Sequence, residues 1–514
     1  MQDIKLLAII VFITCSFTMQ SQVEVKGVCG TVTYETDITR LKENIRNVAD
    51  GGIDTRSGIT RYVPVTFHFT ADDNGNGFPR EEQALEQLAS LNELYAAQEF
   101  VLYIDAITYT EDSDLYDDHR NGSAQFKMRL LKDLNALNVY IVRTISNDGG
   151  IPGNILGYFE PSNDWIVMRR DEFNGTSGTL GHEIGHFFSL QHPHLGWGCQ
   201  PYDEDTHGNP VSSVWSPCIT SLRVELQNGS NCSSTGDFIC DTPPDYNFGF
   251  GWSVGGDQCA EYDVGTMDPN GDVVDPMEVN IMAYFIDCAQ YEFTNTQQNV
   301  VRSSYQSSGR SYIRTGVVPN TDPVEDDVLY NFPINDEESP TFSQIEFDWE
   351  DVSGANQYLF IVDRFPSFTS SPVRIITDES SLIMDELTSG ARYFWKVWPF
   401  NESQTDAGWS ETQSFIVGTT SAVNEIPSVE EFDVYPNPVK NGKLIVGIRS
   451  TESFEAEMRI MDMSGRVFHQ SKGLQIDAST RWSEEVNTGD LARGMYIVQI
   501  ISEKGILTSK FAVQ

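Results

Sequence analysis

The feature that most constrains how this chain can fold is the spacing of three histidines, His182, His186 and His192, around Glu183. Residues four apart on an α-helix lie one turn apart on the same face, so a helix here presents the imidazoles of His182 and His186 side by side. His192 follows six residues after His186, and it meets the other two only if the helix ends in between. The sequence therefore predicts a short helix and a turn that brings three imidazoles together.

Three imidazoles are typical of a catalytic zinc site, which uses three protein ligands and leaves the fourth position to water. Zinc lowers the pKa of that water toward about 7, and Glu183 stands beside the ligands as the base that takes its proton. The alternative is a solvated helix bearing histidines. Four of the eight histidines lie within residues 182–194, which favours the metal site. We interpret the fourth, His194, as a neighbour of the ligands or a surface residue.

The segment from His182 to His192 resembles the zinc-binding signature of the metzincin endopeptidases, in which a Met-turn follows the three histidines. The chain has Ser189 where the family usually has a glycine that takes positive φ, so we expect mild strain there. A Met-turn candidate follows as Val279-Asn-Ile-Met-Ala-Tyr284. Together with Cys240-Asp-Thr-Pro243, this segment is similar to the pappalysin family in particular.

The resemblance covers roughly residues 55–315 and implies an α/β (α+β) metzincin-like catalytic domain over residues 61–315. It implies that Met282 is an apolar floor beneath the zinc. It also implies that Tyr284 hydrogen-bonds the metal water or the developing oxyanion. Without the family, Met282 is a core residue and Tyr284 a strand residue.

Asp287 follows the Met-turn candidate and precedes Cys288. We interpret it as a substrate-pocket residue, in the pocket for the residue after the scissile bond. Its charge would favour Arg or Lys at that position by ion pairing. An exposed loop aspartate is the alternative, with equal standing on sequence grounds.

The N-terminal residues have the pattern of an exported precursor. Residues 1–22 contain about a dozen apolar residues and are typical of a cleaved signal peptide, with an uncleaved anchor as the alternative. Residues 23–60 are polar and loop-like, which predicts a prosegment. By the family resemblance, Cys29 is a zymogen switch whose thiolate takes the fourth zinc position. A disulfide partner or an adventitious thiol is the alternative.

Six further cysteines lie within residues 199–288. In an exported protein they predict up to three disulfides, with fifteen possible pairings, and they leave Cys29 as the odd thiol. The sequence does not choose among the pairings.

After the catalytic region, the pattern changes to short strands separated by turns, which predicts two C-terminal all-β sandwich domains. Residues 325–418 resemble a fibronectin type III domain through Phe347-Asp-Trp349 and Tyr393-Phe-Trp395. Residues 432–514 resemble the sorting domain of type IX secretion substrates of Gram-negative bacteria. The three signatures that carry this second resemblance are Val434-Tyr-Pro-Asn-Pro438, Asp462-Met-Ser-Gly-Arg466 and Leu491-Ala-Arg-Gly-Met-Tyr496. They imply outer-membrane secretion machinery as a partner and a secreted or cell-surface location.

The chain is strongly acidic, with 33 Lys and Arg against 75 Asp and Glu and a net charge of −42. This charge repels phosphate backbones, so the composition argues against nucleic acid as a partner. Beyond the signal, no stretch has the 18 apolar residues of a membrane helix, so we expect no membrane span in the mature form. Acidic loops such as residues 257–275 are rich in oxygen ligands, which makes calcium a second candidate cofactor.

These features together predict a secreted zinc-dependent endopeptidase that hydrolyses peptide bonds in protein or peptide substrates through a zinc-bound water activated by Glu183. An extracellular adhesion protein that uses the same fold as a scaffold is the alternative from another class. A scaffold has no need of a base, and Glu183 is intact. A zinc hydrolase acting on non-peptide amides shares all the metal ligands.

Overall fold

A computed structural model describes residues 28–52, 58–146, 154–325, 327–384, 387–419, 426, 428–462, 466–489 and 491–513. The predicted signal peptide, residues 1–22, lies outside the described residues. The chain divides into two compact units, Met1–Thr321 with Glu402–Asp406 and Asp322–Asn401 with Ala407–Gln514. No helix in the described part of the chain is long and apolar enough to cross a membrane.

The first unit is built on one six-stranded mixed sheet. Its strands are β1 (Val28–Cys29), β2 (Arg61–Ala71), β3 (Phe100–Glu111), β4 (Leu137–Val142), β5 (Ile155–Glu160) and β6 (Trp165–Arg169), in the spatial order β1-β5-β6-β4-β2-β3. Strands β3, β2, β4 and β6 are parallel, and β5 runs antiparallel to β6. Strand β1 forms one edge of the sheet and pairs with β5 in the parallel sense.

Helices cover both faces of this sheet. The helices of this unit are α1 (Glu35–Ala49), α2 (Glu81–Tyr95), α3 (Ser113–Asp118), α4 (Gly122–Leu131), α5 (Thr179–Phe187), α6 (Glu204–His207) and α7 (Asn295–Gln306). One face packs with α2, α5 and α7 in the main core, and the other packs with α3 and α4. Nearly every residue of β2 is buried, as expected for a parallel strand covered on both sides. The predicted mixed α/β fold is confirmed.

The expectation of a loop-like segment over residues 23–60 is wrong where α1 forms. Helix α1 places Ile38, Leu41 and Ile45 at helical spacing, and Leu41 is fully buried in the main core. Ser303 of α7 donates a hydrogen bond to Asn44 over 2.9 Å. The polar residues of the segment are the exposed face of an amphipathic helix, and three apolar positions are enough to dock it.

The second unit is all-β, as predicted. Its strands are β7 (Tyr330–Phe332), β8 (Glu337–Glu338), β9 (Ile345–Trp349), β10 (Gln357–Asp363), β11 (Val373–Thr377), β12 (Ser381–Met384), β13 (Arg392–Phe400), β14 (Gln413–Ile416), β15 (Val429–Tyr435), β16 (Lys443–Ser450), β17 (Phe454–Asp462), β18 (Val467–Ile476), β19 (Arg481–Asn487), β20 (Gly494–Ser502) and β21 (Gly505–Val513). They form sheets in the orders β11-β10-β13-β14-β8, β12-β9-β7, β15-β16-β19 and β18-β17-β20-β21. Two separate apolar cores, one for each pair of sheets, hold this unit together.

Candidate metal centre

The three histidines singled out in the sequence meet at one point. Helix α5 is buried along most of its length and carries His182 and His186 on its inner face. The chain leaves the helix after Phe187 and returns His192 to that face. The Nε2 atoms lie 3.2 Å apart for His182 and His186, 3.1 Å for His182 and His192, and 3.0 Å for His186 and His192. All three side chains are buried.

The chemistry of these nitrogens fits a metal ion. Nδ1 of His182 donates to the carbonyl of Ile281 at 2.7 Å, and Nδ1 of His186 donates to that of Leu190 at 2.9 Å. Each of these two rings therefore keeps its proton on Nδ1 and points an Nε2 lone pair at the other. Burial lowers the pKa of His186 to about 4 and that of His182 well below its usual value, so both rings are neutral at pH 7. Converging neutral imidazole lone pairs with no proton between them are the donor set that zinc takes.

The turn after α5 depends on an unusual backbone conformation at Ser189. Its φ is +76°, in the left-handed region that favours glycine. Leu190 N donates to Gly185 O over 3.0 Å across this turn, and the Ser189 hydroxyl lies 3.1 Å from that of Ser304. The strain expected from the sequence at Ser189 is therefore present.

Glu183 is fully buried beside the imidazoles. Its Oε2 accepts hydrogen bonds from the backbone N of Phe159 at 3.0 Å and from the Thr31 hydroxyl at 2.9 Å. Within the described residues its Oε1 has no hydrogen-bond partner. Burial raises the pKa of this carboxyl to about 7, against hydrogen bonds from Cys29 and Thr31 that lower it. A carboxyl with such a pKa can both take and return a proton near neutral pH.

Cys29 lies against the same site, on strand β1. Its Sγ and the nitrogens of the three histidines lie within 4.8 Å of one another. The thiol is buried and is not part of a disulfide. Burial, and then the charge of Glu183, raise its pKa in the absence of a metal. The hydroxyl of Tyr284 donates to the carbonyl oxygen of Cys29 at 3.2 Å.

Met282 is completely buried beneath α5. A Cβ atom at Gly185 would overlap its sulfur, so the thioether packs directly on the helix backbone between Glu183 and His186. The backbone N of Met282 donates to the Asn280 side chain at 3.0 Å. The Met282 thioether is therefore packed against the helix that carries His182 and His186.

A cavity of about 400 Å³ opens beside Glu183 and His182. Asp287 lines it, and so do Asp171 and Glu172, which follow β6, and Arg169, whose Nε donates to Asp171 at 2.8 Å. Burial raises the pKa of Glu172, and the charges of Asp171 and Asp287 add to that rise. Sequence reasoning missed Asp171 and Glu172, because only the folded chain brings them beside the Met-turn segment.

His194 is one of the least exposed residues of the site, so the surface alternative is wrong. Its ring stacks on that of His192 at a centroid distance of 4.6 Å and an interplanar angle of 9°. Nδ1 of His194 lies 3.6 Å from Oδ2 of Asp245. His194 is therefore a neighbour of the imidazole cluster and outside the group of converging nitrogens.

A second polar cluster, missed in the sequence, lies behind His194. Glu225, Asp237 and Asp245 are each at least nine-tenths buried. Burial, and then the nearby carboxylates, raise the pKa of Glu225 to about 9, and burial raises that of Asp237 to about 8. Oδ2 of Asp237 and of Asp245 have no hydrogen-bond partner within the described residues. Nothing in the local sequence around these residues signals their convergence.

The disulfide prediction is confirmed. The pairs are Cys199–Cys218, Cys232–Cys240 and Cys259–Cys288, and Cys29 is the free thiol of the described chain. The last pair joins residues on either side of the Met-turn segment. It therefore braces the wall of the cavity that contains Asp287.

Comparisons with known proteins support two parts of the sequence interpretation. Residues 433–514 match the family described as a secretion system C-terminal sorting domain, so the predicted sorting domain is confirmed. The chain is 26% identical over 303 residues to an extracellular metalloprotease of Colletotrichum graminicola, covering 54% of this chain and 90% of that protein. It is 27% identical over 285 residues to one of Neurospora crassa, covering 51% and 81%.

Solved structures add little. The FN1–FN3 domains of chicken CNTN1 align with 36% of this chain and 68% of their own, at 13% identity and a TM-score of 0.15. So low a score supports no conclusion about the fold. Over about half of its length, the chain is therefore distantly similar to proteins called extracellular metalloproteases, and its C-terminal residues match a secretion sorting domain.

Proposed function

We propose that this chain is a secreted zinc-dependent endopeptidase of the pappalysin-like metzincin type, exported through its type IX sorting domain. The observation that carries the proposal is the meeting of three neutral imidazole nitrogens beside the buried carboxyl of Glu183. The distant relatives called extracellular metalloproteases support it. The Met-turn resemblance, with Met282 packed under α5, supports the metzincin assignment.

Different residues of the chain supply the metal ligands, the base and the donor to the oxyanion. Zinc held by His182, His186 and His192 would polarise the scissile carbonyl and acidify the attacking water. Glu183 takes the proton of that water, since burial holds its pKa near neutrality. Tyr284 points its hydroxyl into the same space and donates to the developing oxyanion of the substrate once the carbonyl of Cys29 has left.

The residues around β1 support a latent proform. Cys29 supplies a buried thiol at the open side of the imidazoles, and thiolates bind zinc well. Thr31 donates to Glu183, and Cys29 holds the Tyr284 hydroxyl through its carbonyl. One short segment thus contacts the base and the oxyanion donor, and its thiol would take the fourth position of a zinc held by the three histidines. Activation requires displacement of this segment.

The proposal is tested by incubating casein with the full-length chain and with the chain activated by limited proteolysis, and identifying new N-termini by mass spectrometry. We expect cleavage by the activated chain, loss of cleavage with 1,10-phenanthroline and recovery with zinc. Zinc binding without cleavage of any protein or peptide would favour the adhesion scaffold or the hydrolase of non-peptide amides.

The acidic cavity predicts a preference for basic residues after the scissile bond. An ion pair with Asp287 contributes about 1.5–3 kcal/mol, or about 10–150-fold in kcat/KM. We expect Asp287→Asn to lower kcat/KM by about tenfold for peptides with Arg or Lys at this position. The matched peptide with Leu should change by less than about twofold. A peptide library without basic preference contradicts this assignment of Asp287.

The buried cluster of Glu225, Asp237 and Asp245 is the place we propose for calcium. The folded pKa values of Glu225 and Asp237, about 9 and about 8, exceed the ordinary 4.5 and 3.8. The unfolded chain loses these protons first, so the contribution of the two groups to stability is full below about pH 4 and is lost as the pH rises toward 9. A cation that pairs with the carboxylates reverses this loss.

We therefore expect the melting temperature in EDTA to fall between pH 5 and pH 9, and calcium to raise it by several degrees at pH 8. Asp237→Asn should abolish most of the calcium effect. Asp257→Asn is the control, because Asp257 belongs to the acidic loop favoured by the sequence and its side chain accepts from Cys259 N at 2.9 Å. A calcium shift lost in Asp257→Asn and kept in Asp237→Asn would contradict the assignment.

A further inference from the structure

A buried arginine closes the C-terminal end of α5, the helix that carries two imidazoles and Glu183. The last carbonyls of a helix lack partners within it. Here the carbonyl of Phe187 accepts hydrogen bonds from Nε and Nη2 of Arg310, at 3.1 and 2.6 Å. A positive charge at this end also stabilises the helix.

All three nitrogens of the Arg310 guanidinium donate hydrogen bonds. Its Nη1 donates to both carboxylate oxygens of Asp164, at 2.7 and 2.9 Å. The hydroxyl of Tyr312 donates to the same carboxylate at 2.7 Å. The guanidinium carbon lies 3.7 Å from the centre of the Phe187 ring, and Arg310 is 6% exposed. These hydrogen bonds use three nitrogens of one planar guanidinium. A lysine has a single ammonium nitrogen and cannot reproduce them.

Asp164 connects this contact to the partner of Glu183. It lies in the turn between β5 and β6, with a φ of +58°, and its backbone N donates to Glu160 O at 2.7 Å. In the same hairpin, Phe159 donates its backbone N to Glu183 at 3.0 Å. Arg310 therefore ties the end of α5 to the hairpin that holds the carboxyl of Glu183.

We propose that Arg310, held by Asp164, is a positioning residue that keeps α5 in register with the β5–β6 hairpin. In this role it preserves the geometry of the imidazoles relative to Glu183. The inference rests on the proposed zinc peptidase function. Arg310 lies outside the residues that line the cavity, so its loss should affect zinc retention and turnover more than substrate binding.

The test compares Arg310→Met and Arg310→Lys with Arg302→Met. Arg302 is a matched control, because it also donates to backbone carbonyls, those of Ala97 and Gln98, which lie outside α5. Zinc release to a chelator is followed in the full-length chain, and kcat and KM are measured after activation by limited proteolysis.

We expect Arg310→Met to release zinc about 10–100-fold faster than wild type and to lower kcat by the same order, with KM within about twofold. Arg310→Lys should restore little of the zinc retention or of kcat. Arg302→Met should release zinc at the wild-type rate. Equal release by Arg310→Met and Arg302→Met would overturn the proposal.

If Arg310→Met does not fold, Asp164→Asn serves as the second variant. It keeps the shape of the side chain and removes the charge that holds the guanidinium. Faster zinc release from Asp164→Asn supports the proposal, and wild-type release overturns it. A wild-type chain that binds no zinc contradicts the proposed function instead, so the two failures are distinguishable.

Discussion

Replacing Glu183 with glutamine is expected to remove nearly all peptide cleavage while zinc stays bound. The amide keeps the shape of the side chain and still accepts the hydrogen bond from Phe159 N, but it cannot take a proton. General-base catalysis contributes about 10²–10⁴ to the rate, so we expect kcat of the activated chain to fall by that factor. Metal analysis should find the same zinc content as in wild type, because Glu183 is not a ligand.

The matched control is Glu160→Gln, one residue beyond Phe159 on β5. Glu160 is half-buried and accepts hydrogen bonds from Ser162, and it does not line the cavity. The kcat of Glu160→Gln should stay within about twofold of wild type. If Glu183→Gln cleaved peptides as fast as Glu160→Gln, Glu183 would not be the catalytic base.

The second large effect is expected from Cys29→Ala in the full-length chain. Without the thiol, the fourth position at the imidazoles is open, and the segment is held by the hydrogen bonds of Thr31 and Tyr284 and by the pairing of β1 with β5. If the segment keeps about 99% of wild-type proforms closed, opening it raises activity on the order of 100-fold. We expect Cys29→Ala to cleave casein without proteolytic activation at a rate near that of the activated chain.

Lys42→Met is the control for this experiment. The ammonium of Lys42 lies 4.1 Å from the centre of the Phe238 ring, so its loss weakens the docking of α1 and leaves the metal site intact. This variant should remain about as latent as wild type. A Cys29→Ala proform that is equally latent would contradict the role of the thiol.

Local patterns were sufficient to predict the short-range parts of the site. The convergence of His182, His186 and His192 follows from helix geometry and one turn. The positive φ of Ser189 is what the metzincin resemblance implies, because the family usually has a glycine at this position. Helix α1 was missed because it has few apolar residues to reveal its period. Its docking depends on α7, more than 240 residues later in the chain.

The long-range parts of the site could not be predicted. Glu172 reaches the cavity through the end of β6, and Arg310 reaches α5 from a separate 3₁₀ helix, Ser308–Ile313. The cluster of Glu225 and Asp237 forms between loops without regular structure. In each case the sequence shows an ordinary charged residue. Only its burial against a like charge, a carbonyl or a carboxylate makes it a candidate for a functional role.

The most direct test of the central claim is an anomalous difference map of a crystal of the full-length chain, collected at the zinc absorption edge. The account predicts one strong peak within bonding distance of Nε2 of His182, His186 and His192, with Sγ of Cys29 as the fourth ligand. A zinc-loaded crystal without a peak between the three imidazoles, or with the zinc bound elsewhere, would contradict the account.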